Sequence, residues 1–313
     1  MSGAHLPLGD GREFDAIRAM LEEWGPRATG VGDDAATLEM PSGAELVVST
    51  DASVEGVHFR REWMSASAIG ARAATAALSD LAAMAAAPLG VLLSLVVPER
   101  WQSDLLALAR GVGVAAANAG CPIVGGNLTR GSELSLTITV LGHASSPLRR
   151  AGARSGDRVY VTGRLGGPGA ALRALLASET PAAAHLARFI APVPRLREAQ
   201  WLAAAGARAA IDISDGLLAD AAHLARASGV TLALDLESLS RMDGVTAAQA
   251  ATSGEEYELL IAMPADVSVD VGQFVRTFGI PLTDIGSVHP AVAEAVLIAA
   301  DGGGLAHGHD HLR

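Results

Sequence analysis

Carboxylates recur in this chain where one element gives way to the next: Asp33 and Asp34, Asp51, Asp80, Asp212 and Asp215, and Glu255 and Glu256. The first pair lies in Gly30-Val31-Gly32-Asp33-Asp34-Ala35-Ala36, where glycine lets an acidic turn fold tightly around an ion. Leu46-Val47-Val48-Ser49-Thr50-Asp51 reads as a buried strand with two hydroxyls and a carboxylate at its mouth. That is poor core material and a good site for a hard cation or a phosphate, although Ser-Thr-Asp alone is also a common turn. The pattern repeats at Ala209-Ala210-Ile211-Asp212-Ile213-Ser214-Asp215, where strand residues two apart share a face and Asp212 and Ser214 can point into one site. Asp80 follows Ile69, Ala73 and Ala76 at helical spacing, which predicts a carboxylate on a face of small apolar side chains. An unpaired carboxylate there is costly, and either a bound cation or an arginine partner removes the penalty.

All these donors are oxygens. The zinc pattern of cysteines with clustered histidines is missing, whereas oxygen ligands from scattered elements suit Mg²⁺. The chain has no lysine, and its 23 basic residues are all arginine. That excludes Schiff-base chemistry and a phosphate-loop lysine. If the chain handles phosphate groups, something other than lysine must neutralise them, and divalent cations held on carboxylates are the obvious substitute. The chemistry indicated is nucleotide-dependent phosphoryl transfer, with the protein supplying position and charge neutralisation.

The elements that position these residues read as two domains. A chain of 313 residues, 50% hydrophobic and poor in aromatics, is long enough for two α/β or α+β cores. A net charge of -11 argues against nucleic acid as main partner. No apolar run is long enough to cross a membrane, and the N-terminus lacks a signal-peptide pattern. The single cysteine, Cys121, fits a reducing cytoplasm and reads as a plain buried thiol. Periodicity predicts helices over 11–24, 65–87 (stopped by Pro88) and 102–119, with strands at 91–97, 123–126 and 134–140. The basic, turn-rich segment 145–156 reads as the join, giving domains 1–147 and 148–313. In the second domain a strand at 158–162 runs into Gly163, Gly166, Gly167 and Gly169, a weak candidate phosphate cradle at a helix start. Strands at 230–236, 281–288 and 294–299, and helices to Ala227 and over 269–278, complete it. The His-rich tail 302–313 reads as a mobile end, with metal binding as the alternative.

Taken in order, Gly32-Asp-Asp-Ala-Ala36, Ser49-Thr-Asp51…Gly56-Val-His-Phe59, Leu78-Ser-Asp-Leu-Ala-Ala-Met84, Gly125-Gly126…Thr129-Arg130, Gly156-Asp157…Tyr160-Val-Thr-Gly163, Asp212-Ile-Ser-Asp-Gly-Leu217 and Gly254-Glu255…Tyr257-Glu-Leu259 resemble thiamine-monophosphate kinases, of the aminoimidazole ribonucleotide synthetase superfamily. The resemblance spans nearly the whole chain. It implies a two-domain α/β plus α+β fold, with the N-terminal domain completing a barrel across a homodimer. It implies transfer of the γ-phosphate of ATP to thiamine monophosphate with several Mg²⁺ ions. Carried over residue by residue, Asp34, Ser49, Thr50, Asp51, Asp80, Asn127, Asp212 and Asp215 would hold metal. Gly126, Asn127, Arg150 and Ser214 would contact the nucleotide, and His58 and Glu255 the substrate. Three departures stand out. Asn127 replaces an expected aspartate, Ser253 and Glu256 replace Gly and Asp, and Ala306 stands where an aromatic residue is expected. They leave open a relative that phosphorylates another small molecule, and a silent nucleotide-binding homologue.

Overall fold

The structure, a computed structural model, describes Leu8, residues 11–292 and residues 296–299. The chain divides into two compact units, Met1–Leu81 with Ala86–Ser146, and Ala82–Ala85 with Pro147–Arg313.

The first unit holds helix α1 (Arg12–Trp24), strand β1 (Glu45–Val54), helix α2 (Ala66–Ala83), strand β2 (Ala87–Val97), helix α3 (Leu105–Asn118) and strands β3 (Ile123–Arg130) and β4 (Ser135–Ala144). The sheet order is β1-β4-β2-β3, antiparallel except for the β2–β3 pair. Alternation along β2 and β4 buries Val91, Leu93 and Leu95 beside Leu136, Ile138 and Val140. This face takes helix α2, whose Leu81 side chain lies against Gly142 of β4. Helices α2 and α3 meet backbone to backbone. A Cβ at Gly70 would stand 2.1 Å from the Leu108 carbonyl oxygen, and one at Gly111 would stand 1.9 Å from that of Ser67. The opposite face carries Leu46 and Val48, which are 53% and 54% exposed.

Three expectations are corrected here, the first two for a physical reason. The polar run Ser49-Thr50-Asp51 is not a strand mouth but lies mid-strand, because β1 pairs with β4 without interruption from Glu45 to Val54. Pro88 does not stop α2. The helix ends at Ala83, Ala85 turns back with φ 52°, and Pro88 lies inside β2, where the register shifts between Pro88 and Gly90. A sheet irregularity of this kind tolerates the missing N–H of proline. The strand expected at 123–126 also runs on to Arg130.

The second unit contains β5 (Arg158–Thr162), α4 (Gly167–Leu176), α5 (Ala183–Ile190), α6 (Leu196–Ala204), β6 (Ala209–Asp212), α7 (Leu217–Ser228), β7 (Val230–Leu234), α8 (Ala247–Ala251), β8 (Leu259–Met263), α9 (Val271–Phe278), β9 (Leu282–Pro290) and β10 (Leu297–Ala299). Its six-stranded mixed sheet has the order β10-β7-β9-β5-β8-β6. Strands β7 and β8 are buried at every position, consistent with their continuous apolar runs. Helix α7 packs on them through Leu217, Ala221, Leu224 and Ala225.

Candidate functional site

In the first unit the structure joins Ser49 to Asp80. The Ser49 hydroxyl donates to Asp80 Oδ2 at 2.5 Å, so the strand and helix carboxylate sites meet. The helix face beneath is the one expected, with Ile69, Ala73 and Ala76 all buried, while Asp80 itself is half-buried. Asp51 projects to the same side as Ser49, since strand residues two apart share a face. One of its oxygens accepts the Ala52 N–H at 2.8 Å. Thr50 projects to the other side, where its hydroxyl lies 3.0 Å from that of Thr139. Thr50 can therefore join Asp51 at one ion only through its main chain.

Asn127 stays apart from this group. It sits on β3 opposite Ser94, at the far edge of the sheet from β1. Three strand spacings of about 4.8 Å separate the two edges by roughly 14 Å. Gly126 beside it is demanded by packing, because a Cβ there would stand 2.0 Å from the Leu93 carbonyl oxygen. Any ligand it meets must be met through the backbone. Gly126, Asn127 and Asp33 line a cavity of about 240 Å³ whose other walls include Phe14, Met20 and Trp24. Asp34 is exposed, and its N–H donates to Asp33 Oδ1 at 2.9 Å. His58 is fixed in the turn after β1. Its Nδ1 accepts the Val54 N–H at 3.1 Å, which places the proton of the neutral ring on Nε2. Its carbonyl accepts from Arg72 at 3.1 Å.

In the second unit β6 ends at buried Asp212, and the chain turns through Ser214 and Asp215 into α7. Ser214 lies beyond the strand, so a shared strand face does not place it. Asp220 places it instead: one oxygen of this buried residue accepts the N–H groups of Ser214, Asp215 and Gly216, each at 3.1 Å. Burial, then the carboxylates of Asp212 and Asp215, push the Asp220 carboxyl up to about 8, against the pull of the Asp215 and Ser214 N–H groups. An acidic group at such mutual cost is a fit for a cation. Among the described residues no three His, Cys, Asp or Glu side chains converge as a ready cage. Arg150 is exposed, and its side chain has no hydrogen bond or ion pair among the described residues. Its carbonyl is held by the Ser228 hydroxyl at 2.8 Å.

Glu255 is tied to the same loop, its N–H donating to the Ser214 carbonyl at 2.6 Å. Behind it, Glu258 is fully buried in an arginine clamp. Arg195 donates to both its oxygens at 2.7 and 2.5 Å, Arg188 adds a bond at 2.7 Å, and the Thr162 hydroxyl another at 2.7 Å. The glycine-rich turn read as a phosphate cradle is filled from within. Gly166 N–H donates to Glu256 Oε1 at 2.5 Å, Gly169 N–H to the Ser253 hydroxyl at 2.9 Å, and Gly163 N–H to the Pro281 carbonyl at 2.8 Å. Asp220 and the arginine clamp on Glu258 escaped sequence reading. The available signals were an acid in the first turn of the helix after Ser-Asp-Gly, and an acid set between Tyr257 and an apolar strand. Ala306 and the His-rich tail lie outside the described residues.

Comparison with known proteins agrees with this layout. The family model of the AIR synthase related protein N-terminal domain matches residues 32–144, and that of the C-terminal domain matches residues 154–298. Thiamine-monophosphate kinase of Salmonella typhimurium is 34% identical over 323 residues, 96% of each chain. The crystal structure of thiamine-monophosphate kinase from Stenotrophomonas maltophilia superposes with a TM-score of 0.81 at 32% identity, covering 97% of this chain and all of the other. AaThiL complexed with AMPPCP and TMP superposes with a TM-score of 0.78 at 28% identity, covering 95% of both chains. With two AIR synthase-type domains in order and end-to-end similarity of this kind, the chain belongs to the thiamine-monophosphate kinase family.

Proposed function

We propose that this chain is a thiamine-monophosphate kinase, an ATP-dependent phosphotransferase whose acceptor is itself a phosphate group. It transfers the γ-phosphate of ATP to thiamine monophosphate and yields thiamine diphosphate. The carrying observation is similarity over 96% of both chains to a kinase of that name, joined to a fold neighbour bound to AMPPCP and TMP.

The residue roles are those the family resemblance carries over, and the donor chemistry of the residues is compatible with them. Asp34, Ser49, Thr50, Asp51, Asp80, Asn127, Asp212 and Asp215 are assigned to Mg²⁺. Mg²⁺ neutralises phosphate charge, a role that otherwise falls to arginine in this lysine-free chain. The Gly126 backbone, Asn127, Arg150 and Ser214 are assigned to the nucleotide, Arg150 as an uncommitted cation able to fork onto phosphate oxygens. His58 and Glu255 are assigned to thiamine monophosphate. We assign residues 1–147 to a metal, nucleotide and dimerisation domain, and residues 148–313 to the second domain. A homodimer is supported by the exposed Leu46 and Val48 on one sheet face, and by the outer strands β1 and β3, which a second copy would extend in a shared barrel. A cytoplasmic location is in keeping with the lone buried thiol; no described helix is long and apolar enough to cross a membrane.

The test is incubation of purified protein with ATP, Mg²⁺ and thiamine monophosphate. Thiamine diphosphate is the expected product, and its absence despite tight Mg-nucleotide binding overturns the assignment. Asp51→Asn should abolish Mg-dependent turnover in a protein that still folds and dimerises. Surviving activity would remove Asp51 from the metal site.

A further inference from the structure

Glu256 sits between two residues with left-handed backbones, Glu255 at φ 58° and Tyr257 at φ 52°. Neither is glycine, and such a backbone is strained for an L residue unless its surroundings impose it. The neighbours are pinned outward. Glu255 N–H donates to the Ser214 carbonyl at 2.6 Å and Tyr257 N–H to that of Ile213 at 2.9 Å. Glu256 runs the other way, into the interior, with no exposed surface. Its Oε1 accepts the Gly166 N–H at 2.5 Å, at the N-terminus of α4, while Oε2 is buried with no hydrogen bond of good geometry among the described residues, although the Ser253 hydroxyl faces the carboxyl. A side chain with one oxygen well bonded and one not is expensive to bury, so its retention calls for a role.

We infer that Glu256 is a positioning residue for Glu255: its anchor on α4 opposes the outward ties of its neighbours and holds the left-handed turn from which Glu255 meets the acceptor. This rests on the reading of Glu255 as a substrate contact. The groups facing Glu256 are the Gly166 N–H from the α4 turn, the Ser253 hydroxyl, Arg188 from α5, and Glu258, whose charge Arg188 and Arg195 already balance. Burial is the largest influence and pushes the Glu256 carboxyl up to about 8, against the Ser253, Gly166 and Arg188 contributions, with Glu258 adding to the rise. The anchor is therefore a neutral acid at neutral pH. It ionises on the alkaline side, where a buried charge disrupts the turn.

The experiment compares KM for thiamine monophosphate, kcat and Mg·ATP affinity across pH 6.5–9.5 for wild type, Glu256→Gln, Glu256→Ala and Glu255→Ala. Glu256→Gln, a neutral isostere, should keep KM within about threefold of wild type at pH 7 and abolish the alkaline rise in KM expected of wild type above about pH 8. Glu256→Ala should raise KM for thiamine monophosphate tenfold or more, with Mg·ATP affinity within about twofold. An unchanged KM in Glu256→Ala, or equal losses of acceptor and Mg·ATP binding, overturns the inference. So does the same alkaline limb in wild type and Glu256→Gln, which decides the matter even where the alanine variant does not fold. Glu255→Ala separates the two readings. An unchanged KM there removes Glu255 from the acceptor site, whereas a raised KM there with unaffected Glu256 variants sinks only the positioning role.

Discussion

Replacing Asp220 by alanine removes the single acceptor of three backbone N–H groups, those of Ser214, Asp215 and Gly216. Gly216 is buried, so its donor is orphaned outright at a cost of about 1–3 kcal/mol. Ser214 and Asp215 are half-buried and can recruit water, which holds their loss nearer 0.5–1.5 kcal/mol each, an order-of-magnitude figure. A carboxyl pushed up to about 8 is largely protonated at neutral pH, so removing it relieves little repulsion from Asp212 and Asp215, and the net destabilisation is roughly 2–6 kcal/mol. Asp220→Asn keeps an oxygen acceptor and should lie within about 1 kcal/mol of wild type. Because Ser214 and Asp215 ride on the loop that Asp220 orders, Asp220→Ala should also weaken Mg·ATP binding, and Asp220→Asn far less. Urea unfolding without nucleotide measures the first effect, and calorimetric titration with Mg·ADP the second. An alanine variant within 0.5 kcal/mol of wild type, an order-of-magnitude limit, would refute the three-bond account. So would an asparagine variant as damaged as the alanine one.

Three further outcomes follow from the same structure. The folded-state pKa of Glu256, about 8, lies above its ordinary value of 4.5, so the folded protein keeps a proton that the unfolded chain releases. Stability from this group is complete below pH 4.5 and is lost as pH rises to about 8, by at most roughly 5 kcal/mol at ~1.4 kcal/mol per unit. Urea midpoints of Glu256→Gln relative to wild type should therefore climb between pH 5 and pH 8, and a pH-independent difference would contradict the assignment. Burial pushes the Cys121 thiol up to about 12, so iodoacetamide should label it only as fast as the protein unfolds; rapid native labelling would be contrary. Gly126→Ala should cost about 2 kcal/mol or more, because its methyl would meet the Leu93 carbonyl oxygen at 2.0 Å and part β3 from β2. Chemical denaturation reads this, and a neutral effect would show that the strand pair yields cheaply.

Sequence reading reached the two-domain layout and most elements because periodicity and strand alternation are local. It placed Asp80 on the correct helix face and put Asp212 at a strand end. It misread Ser49–Asp51 as a strand mouth because polarity stood in for termination. An edge strand facing a helix carboxylate can carry hydroxyls mid-run when one of them has a partner, as Ser49 has in Asp80. Pro88 misled for a related reason: the rule that proline ends a helix says nothing of a bulged strand that accepts it. The glycine-rich turn at 163–169 looked open because its occupant, Glu256, is 90 residues away along the chain. Non-local partners of this kind leave no period to detect. The clamp of Arg188 and Arg195 on Glu258 was hidden in the same way.

The glycine contact between α2 and α3 has a mechanical consequence. With no side chain at Gly70 or Gly111, the two helices form one stiff beam with a hard stop. Asp80 lies about 15 Å further along α2 at 1.5 Å per residue, so the beam acts as a lever arm. A single methyl inserted at the stop would wedge the helices apart and carry the displacement along the arm toward Asp80, whose 2.5 Å bond to Ser49 tolerates little of it. Drift at a position remote from the chemistry would then appear as a misplaced carboxylate while the fold itself survives.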